Sequence, residues 1–470
     1  MTPILLLEIN EVPWRLLDRY AGDDAFPRLR EFLAGAHQFT TVAVDTGELS
    51  PWVTWPTMHR GINNEAHGIK NLGQDPTTFR GVPVWEEIRR RGGRIGVFGS
   101  LQSWPPTDPG PGGFFVPDTF AHDARCIPES LTAVQAFNLA QVRRNPRVVD
   151  ASVPRVTEAA SALRAMRRAG VRWRTLGRVA AQVASERLDP ARAARRPIFQ
   201  TILFWDIFRA HFDPANPPAL STFFTNHVAG VMHRYWKDVF PEDFAGSARE
   251  PGSRESLMRF ALGELDSMLG DVLAWSRRNP DLVVVFAASM GQAAVHRDAH
   301  EGFELVVEDL ALLMKAAGLG RGDYEALLAM VPQVAVRVPD AARRARAREA
   351  LAAASTPAGT AFVSVQELGE SLSITVRNPT LAEIAAGRVE LGGETLDFAQ
   401  AGIRAQVIEP GTAYHVPEGS FAVWAPRLAQ PPATARSRVA ADRVKDWLLA
   451  VSAEGPSRIP ALAQGQDRSA

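Results

Sequence analysis

Four consecutive aliphatic residues, Ile4 to Leu7, stand near the start of the chain and give way at once to Glu8, Asn10 and Glu11. A strand with one wet face alternates apolar and polar residues, whereas an unbroken apolar run needs cover on both faces, as strands of a parallel sheet have. Trp14, Leu16, Leu17 and Tyr20 then recur at helical spacing, so the segment reads as a buried strand feeding a helix. The same alternation returns downstream. VWEEIRRR reads as an amphipathic helix closed by Gly92 and Gly93 before a strand from Arg94 to Gly99. The apolar run TILFWD, Thr201 to Asp206, reads as a further buried strand. From Ser253 to Arg278, Leu257, Phe260, Leu262, Leu265, Leu269 and Val272 keep helical spacing until Asn279-Pro280 ends the helix before the strand LVVVFAAS. The alternation predicts an α/β fold: a mostly parallel central sheet with helices on both faces.

Two stretches depart from that rhythm. Residues 145–200 are Ala- and Arg-rich at helical spacing and are predicted to be a helical insertion over the core. Residues 331–409 carry short strand-like runs, VAVRV and SLSITVRN, separated by a helical stretch and turns, and read as a small inserted α+β lobe. The core then comprises 1–144, 201–330 and 410–454. Its last piece is a final strand SFAVWAP, a Pro/Ala-rich link and a terminal helix around Val439 to Val451, with 455–470 as a loose tail.

A chain of 470 residues exceeds most single domains, but α/β folds with inserted caps reach this size around one core. At 46% hydrophobic and 22% charged residues it has the balance of a globular protein able to bury a sizeable core. Lys plus Arg and Asp plus Glu are equal at 52 each, so no global field draws it to nucleic acid or an anionic membrane, and any partner is recognised locally. The Arg-rich stretch from Arg143 to Arg196 has an ordinary reading as a solvated helical face; phosphate, lipid headgroups or RNA are what it could otherwise meet. Cys126 is the only cysteine, which excludes an intrachain disulfide and a cysteine-rich metal site and suits a reducing compartment. The run Ile4 to Leu7 lacks the length, basic flank and cleavage site of a signal segment, and no stretch of about 18 apolar residues offers a membrane span. The expectation is a cytoplasmic protein.

Several strings follow one another in a telling order: INEVPWRLLDRY, LSPWVTWPTMHRGINNEAHGI, VWEEIRRRGGRIGVFGSLQSWPP, HRYWKDVFPE, LGELDSMLGDVL with VVVFAASMGQ, and YHVPEGSFAVWAP. Together they resemble the type I phosphodiesterase and nucleotide pyrophosphatase branch of the alkaline phosphatase superfamily over most of the chain. The resemblance implies an alkaline phosphatase-like fold. It also implies chemistry in which two divalent ions about 4 Å apart neutralise phosphoryl oxygens and activate a Ser or Thr nucleophile.

With one inserted residue, Ser50 falls at the family's nucleophile position, with Thr54 and Thr57 close by. A hydroxyl at a strand-to-helix boundary can attack phosphorus, and the helix N-terminus favours the charge that develops; Ser50 before Pro51 is equally a natural helix cap. Asp45 could serve Ser50 as a base or simply belong to a turn before Gly47. The resemblance places the first metal site at His233 and His415, but its usual aspartate is Ala229 here. Asn226, His227, or Asp206 with His211 could supply a replacement. At the second site Asn10 stands for an aspartate, and Ser289-Met290-Gly291 stands for Asp-His-Gly. A thioether is a poor ligand for a hard ion, so Glu8, Glu11 or Glu48 would have to rebuild that site, with His296 and His300 as displaced ligands. The candidate set is therefore Ser50, Thr54 and Asn10 for catalysis, and His233, His415, Glu8, Glu11 and Ser289 for metal. Trp52, Trp55 and Trp104 could stack on a base, a sugar or an apolar substrate, or pack in the core.

The reading that unites these residues is a phosphoester hydrolase or transferase with a Ser/Thr nucleophile and an altered site holding one divalent ion or none, zinc being the ion that suits the donors. Its partner would be a small-molecule ester, nucleotide-, lipid- or glycan-linked, with no nucleic acid. The alternatives are a scaffold that has lost hydrolysis and serves as a binding or regulatory protein, and a metal-free acid-base enzyme using Glu8, Glu11 and the histidines.

Overall fold

The structure, a computed structural model, describes residues 1–144, 163–244, 254–296, 303–330, 332–377, 380–407, 411–428, 436–459 and 462. Its centre is an eight-stranded sheet built from β1 (Ile4–Ile9), β2 (His37–Val42), β3 (Ile95–Phe98), β4 (Phe114–Val116), β5 (Leu220–Thr225), β6 (Val283–Ala287), β17 (Glu418–Trp424) and β18 (Ser437–Ala440). The spatial order is β18-β2-β17-β6-β1-β5-β3-β4. Every pairing is parallel except the two made by β17, which runs against both β2 and β6. The fold is α/β with a mostly parallel sheet.

The side-chain alternation of β1 explains why both faces are covered. Leu5, Leu7 and Ile9 enter one apolar cluster with residues of the helices Trp14–Ala21, Pro27–Gly35, Arg196–His211, His227–Val239 and Glu255–Arg278. Ile4 and Leu6 enter a second with residues of Pro51–Arg60, Val84–Arg90 and Val444–Glu454. Cover on both sides is what the unbroken aliphatic run demands.

A separate lobe is built from β8 (Phe303–Val307), β9 (Glu325–Leu327), β10 (Gln333–Arg337), β11 (Val363–Leu368), β12 (Ser371–Val376), β13 (Arg388–Leu391), β14 (Glu394–Asp397) and β15 (Ile403–Val407). Its main sheet has the order β11-β12-β10-β9, and its own apolar cluster runs from Leu305 to Ile403. It leans on the core through Asn71 donating to Gln366 at 2.9 Å and Gln333 donating to the Leu72 carbonyl at 3.0 Å. A last pair, β7 (Gly291–Ala294) and β16 (Ala413–Val416), is antiparallel and sets Gln292 opposite His415. Gly291 is tied to that crossing, because a Cβ there would collide with the Glu418 carbonyl.

Three expectations change. TILFWD is not a strand: it lies inside the helix Arg196–His211, which Pro197 opens and which buries Ile198, Phe199, Ile202, Trp205 and Phe208. A helix buried on several sides carries the same short apolar run as a buried strand. SFAVWAP is not the final strand, since β18 follows it and pairs with β2. The terminal helix accordingly starts at Val444, and Val439 belongs to β18. The opening part of the predicted helical insertion, 145–162, lies outside the described residues, as do 408–409 of the predicted lobe.

Candidate metal centre

The carboxyl ends of β1, β5 and β6 converge, as the ends of parallel strands do where α/β folds place their sites. Asn10 still donates its backbone N–H to Thr225 of β5 at 3.0 Å, so the strand pairing runs one residue past β1. Glu11 then takes φ 59, a left-handed conformation uncommon for a residue with a side chain, and the turn redirects its carboxylate away from the strand's alternation. That carboxylate is 2% exposed. It meets His233, on the helix that follows β5, and His415, on β16: Glu11 Oε2 lies 2.8 Å from His233 Nε2 and 3.4 Å from His415 Nε2. The donor atoms of the three residues lie within 4.8 Å of one another.

The other ring nitrogens decide what this cluster needs. His233 Nδ1 lies 3.1 Å from the Ala413 carbonyl, and His415 Nδ1 lies 2.7 Å from the Leu49 carbonyl. A carbonyl only accepts, so each Nδ1 carries the proton, and in a neutral ring Nε2 is left as a lone pair. Two lone pairs then face a carboxylate oxygen. Acceptors so close repel unless positive charge lies among them, either as protons that make the rings imidazolium or as a bound cation. A His, His, Glu donor set with each Nδ1 fixed on a backbone carbonyl is the pattern of a divalent-ion site, and the donors suit zinc. Burial alone would raise the Glu11 pKa; where the rings are imidazolium, the His233 charge beside it, with hydrogen bonds from His233 and His415, outweighs burial and holds the carboxyl well below the usual range. Asn10 Nδ2 donates to Glu11 Oε1 at 2.7 Å, and Gln292 Nε2 donates to Oε2, so both oxygens of the carboxylate are held. Gln292 was not singled out from the sequence; the only cue was its place just beyond Ser289-Met290-Gly291, where β7 turns inward.

Next to this cluster the network is neutral. Asn10 Nδ2 also donates to Asn226 Oδ1 at 2.7 Å, and Asn10 Oδ1 accepts from Trp55 Nε1 at 2.8 Å. Thr54 and Ser289 share a hydroxyl hydrogen bond of 2.8 Å, both fully buried. Met290 is also buried. Asn226 is exposed at the start of the helix His227–Val239, its side chain does not cap that helix, and its Nδ2 has no partner among the described residues. Trp55 is sealed behind Asn10, stacked on His59, whereas Trp52 is half-buried on the same helix. Trp104 is elsewhere: its ring stacks on His122 at 4.4 Å and its Nε1 donates to Asp123.

Ser50 is the N-cap residue of the helix Pro51–Arg60, in extended conformation, and its side chain makes no capping hydrogen bond. It is 8% exposed and adjoins Leu49, whose carbonyl anchors His415. Thr57 is engaged by Asp45 at 2.5 Å and by His67 at 3.0 Å, and burial pushes the Asp45 pKa up to about 6.

Of the other candidates, Glu8 lies apart from the centre. It points to the opposite face of the sheet and pairs with His59 at 2.7 Å, both side chains fully buried. Glu48 accepts from the Tyr414 hydroxyl. His227 bonds Thr225 and the Ala261 carbonyl. Asp206 is taken by Arg172, and His211 packs near Phe114. His296 is exposed beside Phe244, and His300 lies outside the described residues.

Among the described residues no helix is long and apolar enough to cross a membrane. No family model and no curated protein matches the sequence. Solved structures do. A phosphonoacetate hydrolase from Sinorhizobium meliloti in complex with phosphonoformate is 14% identical, with TM-score 0.42 over 96% of each chain. Human ectonucleotide pyrophosphatase/phosphodiesterase 5 is 11% identical, with TM-score 0.41 over 96% of this chain and 95% of that one. The murine protein of the same name, in complex with AMP, is 11% identical with TM-score 0.40 over the same shares. Each likeness runs over nearly the full length of both chains at low identity.

Proposed function

We propose that this chain is a phosphoester hydrolase or transferase whose centre is a single divalent-ion site, Glu11, His233 and His415, with Ser50 as the nucleophile. The observation that carries the reading is the pair of imidazole Nε2 atoms turned on one buried carboxylate oxygen, with both Nδ1 atoms facing backbone carbonyls. The sequence resemblance to the phosphodiesterase branch of the alkaline phosphatase superfamily supports the reaction class. A bound divalent ion would supply Lewis-acid charge against phosphoryl oxygens. The chain's own residues do the rest. Glu11 is held from both oxygens by Asn10 and Gln292, so its direction is fixed before substrate arrives. Ser50 offers a hydroxyl with no hydrogen-bond partner among the described residues at the start of a ten-residue helix, where the helix dipole favours a phosphoryl anion. Asn226 offers an amide N–H to a non-bridging oxygen, a neutral donor beside the ion site.

The scaffold reading keeps one supporting observation: Asn10 is satisfied by Asn226, Trp55 and Glu11, and Thr54 and Ser289 satisfy each other, without an ion. The sealed Glu8–His59 pair has no exposed surface with which to meet a substrate. Elemental analysis of purified, metal-supplemented protein separates the readings. Near-stoichiometric zinc, manganese or iron is expected, and it disappears in the His233→Ala, His415→Ala variant; metal-free wild-type protein would move the assignment to the scaffold. Ser50→Ala is expected to lower turnover of an activated phosphodiester by about 10³-fold or more while metal content is unchanged. Wild-type-like turnover would remove Ser50 from its role.

A further inference from the structure

The helix Trp173–Leu188 packs Leu176 against the core cluster yet buries polar residues and turns large apolar ones outward. Its buried residues are Thr175, Gln182 and Glu186, held by Gln182 donating to Glu186 at 2.9 Å and by Arg196 pairing with Glu186 at 2.7 Å. Its outward face carries Trp173, 66% exposed, and Leu188, 89% exposed, with Val183 also exposed. A helix that merely covers a core does the reverse. Among the described residues the large apolar side chains that stand in solvent are few, and Leu163, Trp173, Val183 and Leu188 fall within this one stretch.

The same surface is basic. Between residues 163 and 196 there are ten arginines against Glu186 and Asp189. Arg172, Arg178, Arg192 and Arg196 are spent on carboxylates of the protein. Arg164, Arg167, Arg168, Arg174 and Arg187 have no carboxylate partner among the described residues. Arg167 lies over the Trp173 ring at 4.6 Å, which joins the cation and the aromatic in one patch.

We infer that this patch docks the protein on an anionic phospholipid bilayer. Aliphatic and indole surface seeks the boundary between headgroups and acyl chains, while guanidinium groups pair with lipid phosphates; together they describe a surface-lying amphipathic helix. The charge speaks against a second copy as occupant, since two such patches face to face would bring their unpaired arginines together. The exposed aliphatic residues give nothing to a nucleic acid backbone. This inference is independent of the proposed reaction.

The test is co-sedimentation of the full-length protein with vesicles of phosphatidylcholine alone and with about 30% phosphatidylglycerol. Binding to the anionic vesicles is expected, weakened at least about ten-fold by Trp173→Ser with Leu188→Ser and, separately, by Arg174→Ser with Arg187→Ser. Because all four side chains are exposed, unchanged thermal melting of both variants is expected and serves as the folding control. No sedimentation with anionic vesicles, or sedimentation indifferent to the variants, would overturn the inference. So would a concentration-dependent dimer that the same variants dissolve, which would give the patch to a second copy.

Discussion

At the end of β1 two adjacent residues lead into side-chain groups of opposite character. Glu11 gathers His233 and His415 into a cluster with an excess of lone pairs, and Asn10 joins Asn226, Trp55 and Glu11 into a network in which the donor and acceptor of each bond are matched. Both groups start from the end of β1, and only one gathers imidazole and carboxylate donor atoms within 4.8 Å of one another. Position in the fold therefore does not create a metal site. What creates it is the balance of donors and acceptors once the backbone carbonyls have fixed the protonation of each ring.

The comparison breaks most sharply at Glu11. Glu11→Gln keeps the shape and removes the charge, so metal affinity is expected to fall by at least about 100-fold, measured by titration of zinc into stripped protein. Unchanged affinity would remove Glu11 from the ligand set. Asn10→Asp reverses the neutral side: its bond to Glu11 becomes a repulsion between two carboxylates in a buried setting, while Asn226 can turn its amide to donate. Metal-free protein is expected to lose about 3 kcal/mol of stability by denaturant unfolding, and added metal to restore much of it. A variant as stable as the parent without metal would contradict the donor role of Asn10. Ser289→Ala should do least. Thr54 can turn its hydroxyl to the Ser50 carbonyl one helical turn back, so a cost of about 1 kcal/mol with metal content intact is expected; loss of metal would make Ser289 part of the centre.

Much of the fold could be read from apolar periodicity, because β1, β6 and the helix Glu255–Arg278 owe their structure to local pattern. TILFWD could not, since six apolar-rich residues satisfy a buried strand and a buried helix alike. The centre was half readable. The resemblance points to His233 and His415, but the sequence offers Asn226, His227, or Asp206 with His211 to complete their site and keeps Glu8, Glu11 and Glu48 for the second one, whereas the carboxylate beside the two rings is Glu11. Spacing along an extended strand cannot rank them, because the left-handed turn at Glu11 breaks the alternation on which such a ranking depends. Trp55 reads from sequence as either a stacking aromatic or a core one, and its indole N–H finds a buried acceptor in Asn10, a contact across 45 residues that no local pattern encodes.

The contrary strand has a consequence for how the chain is made. β17 lies between β2 and β6, so those two strands, long since synthesised, have no neighbour on that side until residue 424 has left the ribosome. In the meantime the all-apolar β6, Val283–Ala287, presents a bare edge through the whole synthesis of the lobe. Such an edge is a template for other chains. Nascent chains stalled or cut within the lobe should therefore aggregate rather than persist as trimmed versions of the fold, and the burden of keeping them apart falls on chaperones.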